Sequence, residues 1–376
     1  MIPNSPGARE QERVLVAMSG GVDSSAAALL LQREGYDLIG VTMKLFGYSM
    51  LAKPELVSGC CSLEDAEDAR DVCRKLSFPH YVFNLTRQFD QHVMAPFCAT
   101  YLEGGTPNPC IDCNKHLKFG ALHQRRRELG LDYVATGHYV RRAFDETAGR
   151  WQLLRGTDAR KDQSYMLYGL TQDQLAHTLF PLGDLAKDEV RELAREAGLN
   201  VSEKAESQDI CFAPDGDYLA FIEHYEKRMG ANPSEIAALQ PGPIVNTHGE
   251  RIGEHAGIAR YTIGQRKGIG VAAPEPLYIC SKDAATNTLV AGTADELLTH
   301  EVRARDLNFI AGEAPQGRIR VQAKTHYRQE PQPAWAELTA ACELLVTFDE
   351  PVRKAAPGQA LVIYDEDLVL GGGTII

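Results

Sequence analysis

The stretch Ala17-Met18-Ser19-Gly20-Gly21-Val22-Asp23-Ser24 joins an apolar run, Val14 to Met18, to a helix-like segment, Ser24 to Glu34. Glycines let the backbone approach an anion closely, and a following helix presents free N–H groups and a positive dipole end. The stretch has neither the lysine of a Walker loop nor a G-x-G-x-x-G fingerprint. A tight turn with glycines for sterics alone is the alternative. The strand–helix context favours a phosphate-binding loop of another kind.

Alternating strands and helices surround this loop and indicate the fold class. Gly35 is placed to end the first helix, and Ser62 with Asp65 forms a capping-box pattern for a helix running to about Leu76. Further strand-like runs are Leu38 to Met43, Tyr81 to Leu85 and Asp132 to Thr136. Because helices of this length connect strands by right-handed crossovers, the pattern predicts a parallel, doubly wound α/β sheet.

The pattern of predicted helices and strands changes in the second half of the chain. Helices are predicted over Gln172 to Leu179 and over Lys187 to Ala197, the latter closed by Gly198. After about residue 215, Gly and Pro punctuate short β-like runs, which favours small β-rich domains with a terminal barrel. The 376 residues are therefore divided into an α/β domain over 1–215, a small central domain over 216–285 and a C-terminal β-barrel over 286–376. The β-like runs are Gly242 to Val245, Leu289 to Ala291, Arg318 to Ala323, Ala334 to Leu338, Leu344 to Phe348 and Ala360 to Tyr364.

The composition is that of a globular protein, with 44% hydrophobic residues and a net charge of −12. This charge argues against non-specific coating of nucleic acid. Positive charge is nevertheless concentrated over 111–142 (net +4) and 302–330 (net +3), which indicates a local basic face. The polar lead-in over 1–13 lacks the apolar core of a signal peptide, and nine scattered cysteines fit a reducing compartment. We expect a cytoplasmic protein without a membrane anchor.

The cysteine pattern carries the second chemical signal. Cys110 and Cys113 form a C-x-x-C after two prolines, and a helix is predicted to start near Cys113 or Asn114. A thiol at a helix N-terminus beside Lys115 is expected to have a depressed pKa. A structural zinc site lacks a second C-x-x-C, and a thioredoxin-like dithiol is normally found near the start of its fold, so catalytic sulfur chemistry and an iron–sulfur site remain.

Several motifs together resemble the tRNA-specific 2-thiouridylase family, within the ATP pyrophosphatase superfamily. The resemblance spans nearly the whole chain, and several of its motifs are long enough to be specific. They are Ser19 to Ser24, Thr106 to Lys115, Ala135 to Tyr139, Lys161 to Tyr165, Thr262 to Gly268, Tyr327 to Gln329, Phe348 to Pro351, Pro357 to Gln359 and Leu370 to Gly373.

The resemblance implies ATP-dependent thiolation of the wobble uridine of tRNA at position 2. Oxide is a poor leaving group, and transfer of AMP to the uracil oxygen makes it a good one. In the family, the counterpart of Cys211, which lies 98 residues after Cys113, carries the incoming sulfur as a persulfide. The counterpart of Cys113 is the nucleophile or resolving thiol. This division of one hard step into two is the usual advantage of covalent catalysis.

The resemblance also implies a set of binding residues. ATP, with Mg²⁺ alongside, is expected at Ala17, Met18, Ser19, Gly20, Gly21, Val22, Asp23, Ser24, Met43 and Gly137. The tRNA is expected at Asn108, Pro109, Cys110, His138, Lys161, Asp162, Gln163, His326, Tyr327 and Gln359. His326 stands where an Arg is more usual.

Cys110 departs from the common version of the family, which has an Asp at this place. Cys110 can replace that Asp as a thiolate. Alternatively, Cys110, Cys113 and Cys211 can hold a four-iron four-sulfur cluster with one iron open to sulfide. The persulfide route and the cluster are left open at this stage.

Two other function classes also remain open on the sequence. One is an AMP-forming amidotransferase or ligase that shares the loop but does not need the cysteine set. The other is a non-catalytic, nucleotide-regulated RNA-binding protein. For the thiolase we expect a monomer that receives sulfur from a relay protein or a cysteine desulfurase.

Overall fold

The computed structural model describes residues 12–54, 63–204 and 210–376. The predicted cap Ser62 and the lead-in up to residue 11 lie outside the described residues. The helices are α1 (Val22–Arg33), α2 (Leu63–Lys75), α3 (Thr86–Phe89), α4 (Ala95–Leu102), α5 (Pro109–Cys113), α6 (Leu122–Glu128), α7 (Gln172–Ala176), α8 (Lys187–Glu196) and α9 (Tyr218–Arg228). Wider π-helical turns follow α3 over Asp90–Met94 and α5 over Asn114–Ala121.

The strands fall into an early group and a late group. The early strands are β1 (Arg13–Ala17), β2 (Asp37–Lys44), β3 (His80–Asn84), β4 (Tyr133–Ala135), β5 (Val140–Asp145), β6 (Arg150–Arg155) and β7 (Thr178–Leu179). The late strands are β8 (Gly242–Val245), β9 (Arg251–His255), β10 (Tyr278–Asp283), β11 (Thr288–Gly292), β12 (Leu298–Asn308), β13 (Ile319–Lys324), β14 (Gln332–Leu338), β15 (Leu344–Arg353), β16 (Ala360–Asp365) and β17 (Leu368–Ile375).

The chain divides into two compact units that are not continuous in sequence. The first unit contains the described residues up to Val93, Cys110–Gly216 and Asp367–Val369. The second contains Met94–Pro109, Asp217–Glu366 and Leu370–Ile376. The short segment before Cys110 is therefore grouped with the β-rich part of the chain. The three-domain boundaries predicted above remain a proposal.

The first unit is built on a parallel sheet in the order β3-β2-β1-β4-β7. Leu15 of the central strand β1 lies opposite Ile39 of β2 and Val134 of β4. The strands form in apolar runs because both faces are covered, by α1 through Ala28 and by α6 through Leu122. The predicted doubly wound α/β fold is confirmed, and its loops at the carboxyl end of β1 form the natural ligand site.

One helix prediction was wrong at its end. The helix that starts at Gln172 stops at Ala176, and Thr178 with Leu179 forms the edge strand β7 beside β4. The guanidinium of Arg142 donates hydrogen bonds to the carbonyl oxygens of Leu175 and Ala176, at 2.8 and 2.7 Å. These bonds satisfy the last carbonyls of α7, so the chain is free to turn into a strand there.

The second unit contains a four-stranded sheet, β10-β11-β8-β9, and a closed barrel. The barrel strands follow the order β12-β15-β14-β13-β16-β17, and β17 pairs back onto β12. Its core is filled by alternating inward side chains, among them Val321, Ala334, Val346 and Ile363. The predicted C-terminal β-barrel is confirmed. No helix among the described residues is both long enough and apolar enough to cross a membrane.

Candidate active site

The glycine loop connects β1 to α1 in the first unit. Gly20 has φ +72°, and a Cβ there would lie 2.2 Å from the backbone oxygen of Asp65 in α2, so only glycine fits. Gly21 caps α1 in an extended conformation without any side-chain cap. The first N–H groups of α1 therefore lack an internal partner, and the loop matches the requirements of an anion site.

Two serines shape the loop from inside. The Oγ of Ser24 accepts a hydrogen bond from the backbone N–H of Ser19 at 3.1 Å and donates to the carbonyl of Gly21 at 3.2 Å. The Oγ of Ser25 donates to the same carbonyl at 2.8 Å. These bonds fix the loop without using the N–H groups at the start of α1.

Asp23 forms the strongest electrostatic feature of the loop. The Nζ of Lys187 donates to both carboxylate oxygens of Asp23, at 2.7 and 2.9 Å, and the hydroxyl of Tyr139 donates at 2.7 Å. The Lys187 side chain is 7% exposed and that of Asp23 is 33% exposed. A buried lysine thus neutralises Asp23, whose side chain remains one-third exposed.

Sequence reasoning missed Lys187 and Tyr139 as members of this site. Lys187 lies 164 residues after Asp23, so no local pattern connects them. The sequence did contain one indication. Lys187 is the first residue of α8, where the positive end of the helix dipole favours acidic residues such as Asp188 and Glu189 and disfavours a lysine. Lys187 instead pairs with Asp23.

Gly137, predicted to contact the nucleotide, lies against the start of α1. A Cβ on Gly137 would lie 2.7 Å from the carbonyl carbon of Asp23 and 2.8 Å from the nitrogen of Ser24.

We therefore expect Gly137→Ala to push the first turn of α1 aside and raise the KM for ATP about tenfold, as overpacking costs about 1–3 kcal/mol. Steady-state kinetics would measure it. The control is Gly169→Ala, whose added Cβ would meet only one atom, 4.0 Å away, and which should behave like the wild type. Equal KM values for ATP in Gly137→Ala and the wild type would contradict the argument.

The segment Lys161 to Gln163 is connected to the loop through Tyr139. The backbone N–H of Tyr139 donates to the Oε1 of Gln163 at 3.0 Å, while the Tyr139 hydroxyl reaches Asp23. Asp162 is buried and accepts from the N–H groups of Gly156 and Ser164, so its carboxylate organises this turn. The expected roles of Lys161, Asp162 and Gln163 in tRNA binding remain predictions.

His138 and Met43 are also more enclosed than a purely surface role requires. The His138 side chain is 7% exposed, and its Nδ1 lies 2.8 Å from the Thr136 hydroxyl. Burial holds the pKa of His138 well below the ordinary value of a histidine, so the ring is neutral at pH 7. Met43 is partly buried against the core beside Val41 and Leu131. Their contacts with tRNA and adenine remain predictions.

The helix that carries the cysteines begins earlier than predicted. It starts at Pro109, not near Cys113 or Asn114, because the fixed φ of proline and its missing N–H suit the first helical position. Cys113 therefore lies in the second turn, and the argument for a thiol at the helix N-terminus does not apply to it. Cys110 is exposed, Cys113 and Cys211 are partly exposed, and none of the three forms a disulfide.

The structure does not support the iron–sulfur alternative. All three thiols belong to the described part of the chain, where no three His, Cys, Asp or Glu side chains lie close enough together to hold a metal ion.

The residues expected at the tRNA fall in both units. Asn108, Pro109, His326, Tyr327 and Gln359 belong to the second unit, and the others to the first. The His326 side chain is exposed, with its Nδ1 2.9 Å from the Thr325 hydroxyl. The Gln359 amide instead donates to the carbonyls of Thr106 and Pro107.

The two basic segments offer less free charge than counting suggested. Arg126 is 7% exposed and donates to the carbonyl of Asp132, and Arg142 lies over the ring of Trp151 at 4.3 Å. Arg320 forms a two-bond pair with Asp349. Counting charges along the chain could not separate these structural arginines from those available to a ligand.

Comparisons with known proteins cover almost the whole chain. Family models match residues 12–215 (tRNA methyl transferase HUP domain), 234–293 (tRNA methyl transferase PRC-barrel domain) and 299–375 (aminomethyltransferase beta-barrel domain). The tRNA-specific 2-thiouridylase MnmA of Acidobacterium capsulatum is 48% identical, covering 96% of this chain and 98% of that protein. Proteins of the same name are 49% identical in Moorella thermoacetica (96% and 98% covered) and 46% in Koribacter versatilis (97% and 99%).

The parallel sheet and its glycine loop define the class, an α/β phosphate-loop protein with two β domains appended. Within that class, the chain belongs to the tRNA-specific 2-thiouridylase family.

Proposed function

We propose that the protein is an ATP-dependent tRNA sulfurtransferase that converts the wobble uridine of tRNA to 2-thiouridine, releasing AMP and pyrophosphate. The observation that carries the proposal is the near-full-length similarity to curated 2-thiouridylases, which spans both the phosphate loop and the cysteines. The loop geometry supports it independently, because the uncapped start of α1 suits a phosphate chain.

The chemistry divides into activation and sulfur transfer. In the first half, the uracil O2 attacks the α-phosphorus of ATP and pyrophosphate leaves. The N–H groups at the start of α1 are the donors available to the departing phosphates, and Lys187 holds Asp23 in place beside them. Mg²⁺ entering with the triphosphate would supply charge compensation, with Asp23 as the carboxylate available at the loop.

In the second half, a persulfide on Cys211 attacks carbon 2 and AMP leaves with the oxygen. The Cys113 thiolate then attacks the Cys211 sulfur, which releases the thionucleotide and forms a Cys113–Cys211 disulfide. A cellular dithiol must reduce this disulfide before the next turnover. Both thiols are partly exposed, which allows a sulfur donor and a reductant to reach them.

The direct test uses the purified protein, ATP, Mg²⁺, an unmodified tRNA with a wobble uridine, a cysteine desulfurase with cysteine as sulfur source, and a dithiol to reduce the disulfide after each turnover. We expect 2-thiouridine by mass spectrometry, with one AMP and one pyrophosphate per thionucleotide. The proposal would fail if AMP formed without sulfur incorporation, as in an amidotransferase or ligase. RNA binding without AMP release would also overturn it, in favour of a non-catalytic RNA-binding protein.

A further inference from the structure

The loop that precedes the cysteines is held by side chains from far along the sequence. We name Gly104 to Asn108 the pre-cysteine loop; it follows α4 and runs directly into Pro109 and Cys110. The Nζ of Lys282, at the end of β10, donates to the carbonyl of Gly105 at 3.3 Å and to that of Tyr261 at 2.6 Å. All of these contacts lie within the second unit.

A second side chain holds the same loop from the barrel. The Nε2 of Gln359 donates to the carbonyls of Thr106 at 2.8 Å and Pro107 at 3.2 Å. The backbone N–H of Thr106 donates to the carbonyl of Pro357 at 2.7 Å. Three consecutive carbonyls, from Gly105 to Pro107, are thus bound by two side-chain donors, Lys282 and Gln359, which lie 77 positions apart in the chain.

The fit of the loop is tight as well as polar. A Cβ on Gly105 would lie 2.8 Å from the carbonyl oxygen of Pro357, and one on Gly358 would lie 3.2 Å from that of Thr106. Gly358 also has φ +92°, which suits glycine. Backbone approach this close leaves the loop little freedom to shift.

Lys282 is a partly buried lysine. Burial lowers its pKa to about 8 from the ordinary 10.5, with no compensating carboxylate among the described residues. Since the folded chain disfavours the charged amine, stability rises between about pH 8 and 10.5 and is lowest below pH 8. At neutral pH the partly buried ammonium therefore carries a desolvation cost while its Nζ binds the carbonyls of Gly105 and Tyr261.

We propose that Lys282 and Gln359 are positioning residues for sulfur transfer: they fix the pre-cysteine loop and thereby set the course of the chain into α5, which carries Cys110 and Cys113. This inference rests on the proposed function. It assigns Gln359 a role in holding the protein backbone, whereas the family resemblance places the same residue at the tRNA.

The test measures three quantities for Lys282→Met and Gln359→Leu: kcat for 2-thiouridine at saturating tRNA and ATP, the tRNA Kd, and the melting temperature. We expect kcat to fall about 10- to 100-fold, because small misplacements of reacting groups are costly. The tRNA Kd should stay within about twofold and the melting temperature close to that of the wild type. Lys227→Met, on the exposed end of α9, and Gln240→Leu, which loses one backbone contact, are the matched controls.

The outcomes separate the possibilities. Unchanged kcat in both variants overturns the inference, and weaker tRNA binding at unchanged kcat overturns it for Gln359 in favour of direct RNA contact. Lys282→Arg keeps a cationic donor, so it should retain a higher kcat than Lys282→Met even if Lys282→Met folds poorly. Equal losses of kcat in these two variants would contradict a positioning role for Lys282. A wild-type protein that forms no 2-thiouridine under these conditions overturns the proposed function itself, a result distinct from failure of the variants alone.

Discussion

Cys211→Ser is expected to abolish 2-thiouridine formation, with a loss of about 10³-fold or more in kcat, because the proposed mechanism places the transferred sulfur on this residue. A serine oxygen cannot hold a sulfane sulfur as a persulfide. The activation half does not use this thiol, so tRNA-dependent release of AMP and pyrophosphate should remain detectable. Mass spectrometry of the tRNA digest and a pyrophosphate assay measure the two halves separately.

The control for this variant is Cys342→Ser, which changes an exposed thiol of the second unit in the same way. It should keep wild-type turnover. Sulfur incorporation by Cys211→Ser at more than a few per cent of the wild-type rate would show that the sulfur travels by another route, and the role assigned to Cys211 would be wrong.

Lys187→Met is expected to weaken both the fold and the first half of the reaction. Breaking a buried ion pair by removing one partner costs about 3–5 kcal/mol, and the partial exposure of Asp23 puts the expected loss near the lower end, at about 3 kcal/mol. An unpaired Asp23 carboxylate would also face the phosphates, so we expect kcat/KM for ATP to fall about 10²-fold. Urea unfolding and pyrophosphate release measure these effects.

A double variant separates the two contributions. Asp23→Asn combined with Lys187→Met removes both charges and should recover much of the lost stability, because no unpaired charge is left. It should not recover the activity. Recovery of activity together with stability would mean that the pair serves only the fold, which would remove Lys187 from the site.

The fold was predictable wherever a segment carried its own signal. The strands around the glycine loop and the stop at Gly35, which has φ +89°, follow from apolar runs and from a glycine conformation. The edge strand β7 was not predictable, because Thr178 and Leu179 are too short a run to show a period of two. The start of helix α5 was predicted too late, because Pro109 is a first helical residue and not part of an extended segment.

The site was predictable only in its local part. The loop and the C-x-x-C are contiguous motifs, so their residue types are informative by themselves. The partners of Asp23 are distant in sequence, and the contacts of Lys282 and Gln359 with the pre-cysteine loop depend on the fold of the second unit. Pairing across such separations is tertiary information, which composition and spacing do not contain.

The π-helical stretch Asn114–Ala121 between α5 and α6 has a consequence for how the thiols are oriented. A π turn holds about one more residue than an α turn, and one residue corresponds to roughly 100° about the helix axis. A helical wheel drawn from α6 back through this stretch would therefore assign Cys110 and Cys113 to the wrong side. The extra residue acts as a phase shift between the end of this continuous helical segment that carries the cysteines and the end that carries Arg125 to Arg127.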